Sequence, residues 1–370
     1  MTVKRTTQKE KVITTIEMGG AEKQLLVLVE QQVRSGLRVE VIYLKGRPEL
    51  EENFKIVGAT VANDFVGIPF LRQIPLLRKR MKSYPTLLHA HLPRAELLCA
   101  LSFSKNPFVF SRHNAEAFWP NSNRAFSILL SRFVSMRAKR GIAISQAVKD
   151  FLISNNEVRR NYPIDVILYG ASIKQDLNTD QVVNFSRLMH HDSAQVKFGT
   201  IARLVPQKDF PTLLGAFANV TRTIPGAHLY VVGDGPLSSD LQKLTDSLEI
   251  SNSVHWLGRT KYIQEFLANL DVFVLTSVYE GFGLVLLEAM ERSLPILAAN
   301  NSAIPEVLGA DYAGLFPTGD VVNLTQLMLT MVDLDSRKNL AKESVARLPK
   351  FDAKRMCQNI TITYLAAESH

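Results

Sequence analysis

Short β-branched runs alternate with longer helix-periodic ones along this chain of 370 residues. In the first half the strand candidates are VITTI (12–16), RVEVIYL (38–44), TLLHA (86–90), PFVFS (107–111), GIAIS (141–145) and DVILY (165–169). Runs of this length, rich in Val and Ile, predict strands. AEKQLLVLVEQQVRSG carries apolar residues at helical spacing and ends on Gly36, a natural helix stop. A second series follows: KFGTIA (197–202), HLYVVG (228–233), SVHWLG (253–258), DVFVLT (271–276) and LPILAA (294–299). Helical patterns at about 210–223, 236–249, 260–270, 283–292 and 302–308 separate these strands.

Strands alternating with helices imply parallel sheets covered on both faces. The stretch from 173 to 194 is polar and weakly periodic, and reads as a linker. The expected organisation is α/β, with Rossmann-like domains at 1–172 and 195–351 facing each other across a cleft. A last helical pattern at about 352–368 has no strand after it and is expected to pack back on the first domain. Ligands of such sheets bind beyond the carboxyl ends of the strands, so the loops at those ends are where function is sought.

Composition narrows the classes. The chain is 46% hydrophobic and 21% charged, as expected of a soluble globular protein, and it carries no run of apolar residues long enough to span a bilayer. Its basic, polar first residues do not read as a secretory signal, and two cysteines, Cys99 and Cys357, make no disulfide framework, so the expected compartment is the cytoplasm. The net charge of +8 is divided unevenly, +12 over residues 1–190 and −4 over 191–370. The first half is therefore expected to meet an anion: a phosphorylated substrate or a membrane surface. No nucleic-acid-binding motif accompanies the charge, so nucleic acid is not expected as a partner.

Four loops at strand ends carry candidate chemistry. EMGGAEKQ (17–24) places Gly19 and Gly20 before a helix, where backbone N–H groups can meet an anion or simply make a tight turn. ARLVPQKDFP (202–211) brings Arg203 and Lys208 together after a strand, a pair suited to a diphosphate and equally able to lie solvated on a surface. GDGP (233–236) matches a dinucleotide fingerprint only in part and reads as a turn. SVYEGFGLVLLEAM (277–290) sets Glu280 and Glu288 in an otherwise apolar run. Ionised carboxylates are costly to bury without partners, and are good acceptors for sugar hydroxyls. His89 and His91 lie two apart at a strand end; without a third ligand at suitable spacing, a structural or acceptor-side role is preferred to a metal site.

ARLVPQKDF followed about 70 residues later by EGFGLVLLE resembles the retaining GT-B glycosyltransferases of family four. GGAEK, HAH, RHN, VVGDGP and HWLGR extend the resemblance over nearly the whole chain. The resemblance implies that Arg203 and Lys208 hold the diphosphate of a nucleoside diphosphate sugar, and that Glu288 accepts from its ribose. It implies that Glu280 and the backbone of Gly281, Phe282 and Gly283 grip the transferred sugar, and that His113 lies near the reacting carbon. Gly19 and Gly20 would face the donor phosphates, and Glu22 follows them. Two positions depart from the family pattern: Ala202 replaces the usual glycine before Arg203, and Tyr169-Gly170 replaces Asn-Gly.

The function so implied is metal-independent, retaining transfer of a hexose-type sugar to a glycan or lipid-linked acceptor, in cell-surface polysaccharide or glycolipid synthesis. No cofactor is expected beyond the nucleotide-sugar co-substrate. The rival readings are a nucleotide-sugar epimerase on the same fold and a non-catalytic subunit of a transferase. FLRQIPLLRKRMKSYP (70–85) mixes leucines with Arg72, Arg78, Lys79, Arg80 and Lys82. It reads either as a helix packed on the sheet or as a peripheral contact with an anionic membrane on the cytoplasmic side.

Overall fold

The computed structural model describes residues 8–83, 86–103, 105–119, 122–171, 177–189 and 196–369. The first seven residues, Tyr84, Pro85 and much of the polar stretch 173–194 lie outside these. The chain divides into two units, residues 1–170 with 351–370 and residues 171–350. In the first unit the order is β1 (Gln8–Ile13), α1 (Gly20–Arg34), β2 (Arg38–Tyr43), α2 (Glu51–Ile56), β3 (Thr60–Ala62), α3 (Phe70–Ser83) and β4 (Leu87–His91). Then come α4 (Pro93–Leu101), β5 (Phe108–Arg112), α5 (Arg124–Arg137), β6 (Arg140–Ala143), α6 (Gln146–Ser154) and β7 (Ile164–Val166). The second unit contains α7 (Thr179–Leu188), β8 (Val196–Ile201), α8 (Phe210–Thr223), β9 (Ala227–Val232), α9 (Ser238–Ser247), β10 (Val254–Gly258) and α10 (Ile263–Leu267). It continues with β11 (Val272–Leu275), α11 (Leu284–Glu291), β12 (Ile296–Ala299), α12 (Ile304–Leu308), β13 (Leu315–Phe316), α13 (Val321–Thr330) and α14 (Leu334–Val345). The last helix, α15 (Ala353–Glu368), belongs to the first unit.

Both sheets are parallel, ordered β3-β2-β1-β4-β5-β6-β7 and β10-β9-β8-β11-β12-β13. In each, the chain starts in the middle, works outward to one edge, then crosses back to the other side of its first strand. The strand order thus reverses between β1 and β4, and again between β8 and β11. A crevice opens at such a reversal, which is where doubly wound sheets bind ligands.

In the first unit, one face of the sheet packs Val12, Ile42, Leu88 and Phe110 against α3, α4 and α5 through Leu77, Met81, Leu98 and Val134. Helices α1 and α15 pack together elsewhere on the unit. Tyr364 of α15 is a buried anchor: its hydroxyl accepts from Lys11 Nζ and bonds His89 Nδ1 at 2.7 Å. Lys9 adds an ion pair to Glu368.

These anchors explain one departure from the sequence expectation. The polar KEK (9–11) conceals a central strand, so β1 begins four residues before the apolar run at Val12. Lys9 and Lys11 meet Glu368 and Tyr364, while burial holds the Lys11 amine well below its ordinary pKa. The segment 173–194 departs too. It contains α7, whose Phe185 packs edge-on against Phe266 of α10, so its described residues belong to the second unit rather than to a linker. Its mixture of Asn, Asp and Val hid the pattern, although Asn178 is a regular N-cap accepting from the Gln181 N–H at 3.1 Å.

Glu10, the third charged residue of that strand, is 1% exposed, and neither carboxylate oxygen has a hydrogen-bond partner among the described residues. Burial, reinforced by Glu40, raises its pKa to about 7. A carboxyl whose folded pKa exceeds its unfolded value holds its proton more tightly in the folded chain. Stability therefore falls as pH rises from the unfolded value of 4.5 through 7. Glu10→Gln should remove this dependence. Between pH 5 and 8.5 the wild type should lose up to about 3 kcal/mol relative to the variant, read from denaturant midpoints. A constant difference between the two would contradict the buried, proton-binding Glu10.

Candidate active site

In the second unit the loops after β8 and β11 emerge side by side at the strand-order reversal, and polar contacts join them. Lys208 donates to Glu280 Oε1 at 2.5 Å, and Ser277 Oγ donates to the same oxygen at 2.6 Å. The Val278 N–H donates to the Gln207 carbonyl at 2.8 Å, Gln207 Nε2 donates to the Tyr279 carbonyl at 2.8 Å, and Thr276 Oγ1 donates to the Lys208 carbonyl at 2.8 Å. Glu280 is 8% exposed. A carboxylate so buried needs a cation and hydrogen bonds, and it has both. From the third side, Ser302 Oγ donates to the Glu280 carbonyl and Asn301 Nδ2 to the Ser277 carbonyl.

Arg203 stands differently. It is exposed, and its guanidinium makes no ion pair or hydrogen bond to another described residue. The GDGP turn fixes its backbone. The Leu204 N–H donates to the Asp234 carbonyl at 3.0 Å, and a Cβ on Gly233 would fall 1.8 Å from the Ala202 carbonyl oxygen. Only glycine allows the two backbones so close. The turn read from sequence as a partial fingerprint therefore supports the loop that presents Arg203.

Beyond Glu280 the chain enters α11 through Gly281, Phe282 and Gly283, all buried. Gly283 precedes the helix at φ 87°, a left-handed conformation that glycine adopts without strain. Glu288 lies half-buried in the second turn of α11. The two glutamates thus differ: Glu280 is locked to Lys208 and Ser277, whereas Glu288 keeps partial exposure.

In the first unit, Gly19 and Gly20 lead into α1 beside the β1–β4 reversal. Gly19 is the N-cap, and a Cβ there would meet Glu22 Oε2 at 2.3 Å. Glu22 is buried and accepts from Thr15 Oγ1 at 2.7 Å; burial raises its pKa. His113 follows β5, with both ring nitrogens engaged. Nε2 faces His91 Nδ1 at 3.1 Å, and Nδ1 bonds the Tyr169 hydroxyl. A hydrogen bond between two imidazoles leaves one proton between two nitrogens, which suits neutral rings. Desolvation, with Arg112 next door, pushes the His113 pKa down to about 3. His91, His113 and Tyr169 line a mainly apolar pocket holding about 310 Å³ of empty space, mouth included, with Gln24, Leu28 and Met356. His89 has both nitrogens occupied, by Tyr364 and by Ser111 Oγ at 2.8 Å, so it serves the packing of α15.

Sequence reasoning overlooked the residue that steadies His113. Arg112 is buried and bonds Glu96 of α4 at 2.7 Å, Glu157 at 2.9 Å and Ser131 of α5 at 3.0 Å. Burial nonetheless raises Glu96 to about 7. In RHN the arginine fixes the strand end and the histidine is what it presents. The only signal in the sequence was an arginine in an apolar strand. Tyr169, noted as a departure from the family pattern, supplies the hydroxyl that His113 needs.

Residues 18–173 match the family described as Glycosyltransferase Family 4, and residues 189–345 match Glycosyl transferases group 1. An uncharacterized glycosyltransferase of Methanocaldococcus jannaschii is 36% identical over 36% of this chain and 32% of its own length. The sulfoquinovosyl transferase of Arabidopsis thaliana is 25% identical over 83% of this chain and 62% of its own. The chain thus spans less than two thirds of the length of either relative. Among solved structures, HepE of Anabaena in complex with UDP-glucose aligns with a TM-score of 0.82 at 21% identity, over 97% of this chain and 99% of that one. With both family patterns in sequence along one chain, and two Rossmann-type sheets of this strand order, the chain belongs to glycosyltransferase family four and has the GT-B fold.

Proposed function

We propose that the protein transfers a hexose-type sugar from a nucleoside diphosphate sugar to a glycan or lipid-linked acceptor, with retention at the anomeric carbon and no divalent ion. The observation that carries this reading is the Lys208–Glu280 pair at the β8–β11 reversal, with the unengaged Arg203 on the same loop as Lys208. A departing diphosphate develops negative charge, and two cations on one loop can stabilise it directly. Arg203 offers a bidentate fork, and Lys208 is a point charge that can shift from the carboxylate to a phosphate. Glu280, relieved of Lys208, accepts from hydroxyls of the sugar, and the Gly281–Gly283 turn lines that sugar with backbone amides. Glu288 accepts from the ribose. No carboxylate is assigned as an attacking nucleophile; the leaving phosphate takes the acceptor proton. His113, neutral and held by Tyr169 and His91, is a hydrogen-bonding group near the transferred sugar rather than an acid. HepE crystallised with UDP and with UDP-glucose, which makes uridine donors the first to test here.

Arg203→Ala should weaken nucleoside diphosphate binding about 10- to 150-fold, the loss of one charge-assisted contact worth about 1.5–3 kcal/mol, with an unchanged circular dichroism spectrum. Lys208→Met should weaken it similarly and also lower stability, because Glu280 loses its cation. Adding Glu280→Gln to Lys208→Met should restore the stability and leave binding weak. Full affinity in Arg203→Ala and Lys208→Met would remove the phosphate assignment.

The two glutamates should separate by calorimetry. Glu288→Gln is expected to weaken the sugar-free nucleoside diphosphate, whereas Glu280→Gln should spare that ligand and slow sugar transfer. Unchanged nucleotide affinity in Glu288→Gln would refute its ribose role.

A further inference from the structure

Helix α5 buries three serines and exposes three large apolar side chains. Ser127, Ser131 and Ser135 are buried beside Val134, and Leu130 and Phe133 pack partly on the core, while Phe126, Leu129 and Met136 are 51%, 63% and 60% exposed. The inner serines have work that holds the helix in this orientation: Ser127 Oγ accepts the Trp119 N–H at 2.9 Å and Ser131 accepts from buried Arg112. Phe126, Leu129 and Met136 are therefore left outward. Phe103 extends it, 49% exposed and edge-on to Phe133, with the Arg137 guanidinium 4.8 Å above its ring. Trp119, 36% exposed, lies against the first turn through its bond to Ser127.

The charges on α5 itself have one sign. From Ala117 to Lys149 the sequence holds six Lys and Arg and no Asp or Glu. Exposed Arg132 and Arg137 flank the stripe on α5, Arg132 donating to the Asn156 carbonyl at 2.8 Å, whereas Arg124 lies toward the serine side and donates to Asn155 Oδ1 at 3.1 Å. Helix α3 lies beyond α4 on the same side of the sheet and exposes Leu71, Arg72, Arg78, Lys79 and Lys82. The sequence of α3 reads either as a helix packed on the sheet or as a membrane contact. There, Arg80 is held by Glu40 at 2.5 Å and Asp64 at 3.1 Å, and Leu77 and Met81 are buried, so α3 contributes charge and little apolar surface.

We propose that the outer face of α5 seats the protein on an anionic lipid bilayer, with Phe126, Leu129 and Met136 entering the headgroup boundary and the arginines meeting lipid phosphates. An exposed apolar stripe flanked by arginine is the pattern of an interfacial helix, and Trp119 beside it has the amphipathic ring favoured at that depth. A second copy of the chain fits poorly. Pairing two such stripes would bring Arg132 and Arg137 of both copies together with no Asp or Glu on α5 to offset them, and like charges across an interface oppose association.

The test is co-sedimentation of the full chain with phosphatidylglycerol–phosphatidylcholine vesicles and with phosphatidylcholine vesicles alone. Binding to the anionic vesicles that weakens with salt is expected, with little binding to the neutral ones. Leu129→Ser with Met136→Ser should reduce it about tenfold or more without changing the melting temperature, and Arg132→Gln with Arg137→Gln should reduce it and flatten the salt dependence. No binding at low salt would overturn the proposal. So would binding indifferent to Leu129 and Met136 but abolished by Arg78→Gln with Lys82→Gln, or a concentration-dependent dimer lost in Leu129→Ser with Met136→Ser.

Discussion

A carboxylate that cannot reach water must find a cation, and at the end of β11 Glu280 finds Lys208. This single pairing ties together two loops separated by 72 residues in sequence. It brings the backbone of Gln207 and Lys208 against Thr276, Val278 and Tyr279, and so sets where Arg203 and the glycine turn before α11 can stand. An ion pair this buried contributes little net stability, since desolvation offsets much of its Coulomb energy. Its value lies in geometry. On the proposed function it also keeps a lysine poised to change partners when a more highly charged anion arrives.

The first unit solves a similar problem mainly with neutral rings. At the strand ends Lys11, Tyr364 and His89 form one hydrogen-bonded group and His91, His113 and Tyr169 another, and burial depresses the basic pKa values of Lys11 and the three histidines. A group of uncharged rings can be packed closely where a group of cations could not. Arg112 is the exception, and two glutamates answer its charge. The same arginine recruits Ser131, which helps turn the polar side of α5 inward. The demand that a buried guanidinium be satisfied thus reaches the surface as an exposed apolar stripe.

Much of this was legible in the chain. The strands announced themselves through Val and Ile runs, and the alternation with helices specified parallel sheets. Arg203, Lys208, Glu280 and the glycines at 281 and 283 stood out because charge or glycine interrupts apolar sequence at strand ends. What stayed hidden has common physical causes. Strand β1 can carry Lys9, Glu10 and Lys11 because Tyr364 and Glu368, more than 350 residues away, satisfy the two lysines. Helix α7 is short and polar because Phe185 is the one side chain it buries. The orientation of α5 depends on contacts to Arg112 and Trp119, which no local periodicity reports. The Lys208–Glu280 bond was out of reach for the same reason: spacing suggested that each side chain faced a ligand, and only the fold pairs them with each other.

The central claim is that Lys208 exchanges Glu280 for a donor diphosphate. A crystal structure with the nucleoside diphosphate sugar that most raises the melting temperature tests it most directly. The account predicts Lys208 Nζ and the Arg203 guanidinium on phosphate oxygens, Glu280 on a sugar hydroxyl and Glu288 on the ribose. A donor bound away from the β8 and β11 loops, with the Lys208–Glu280 pair intact, would contradict it.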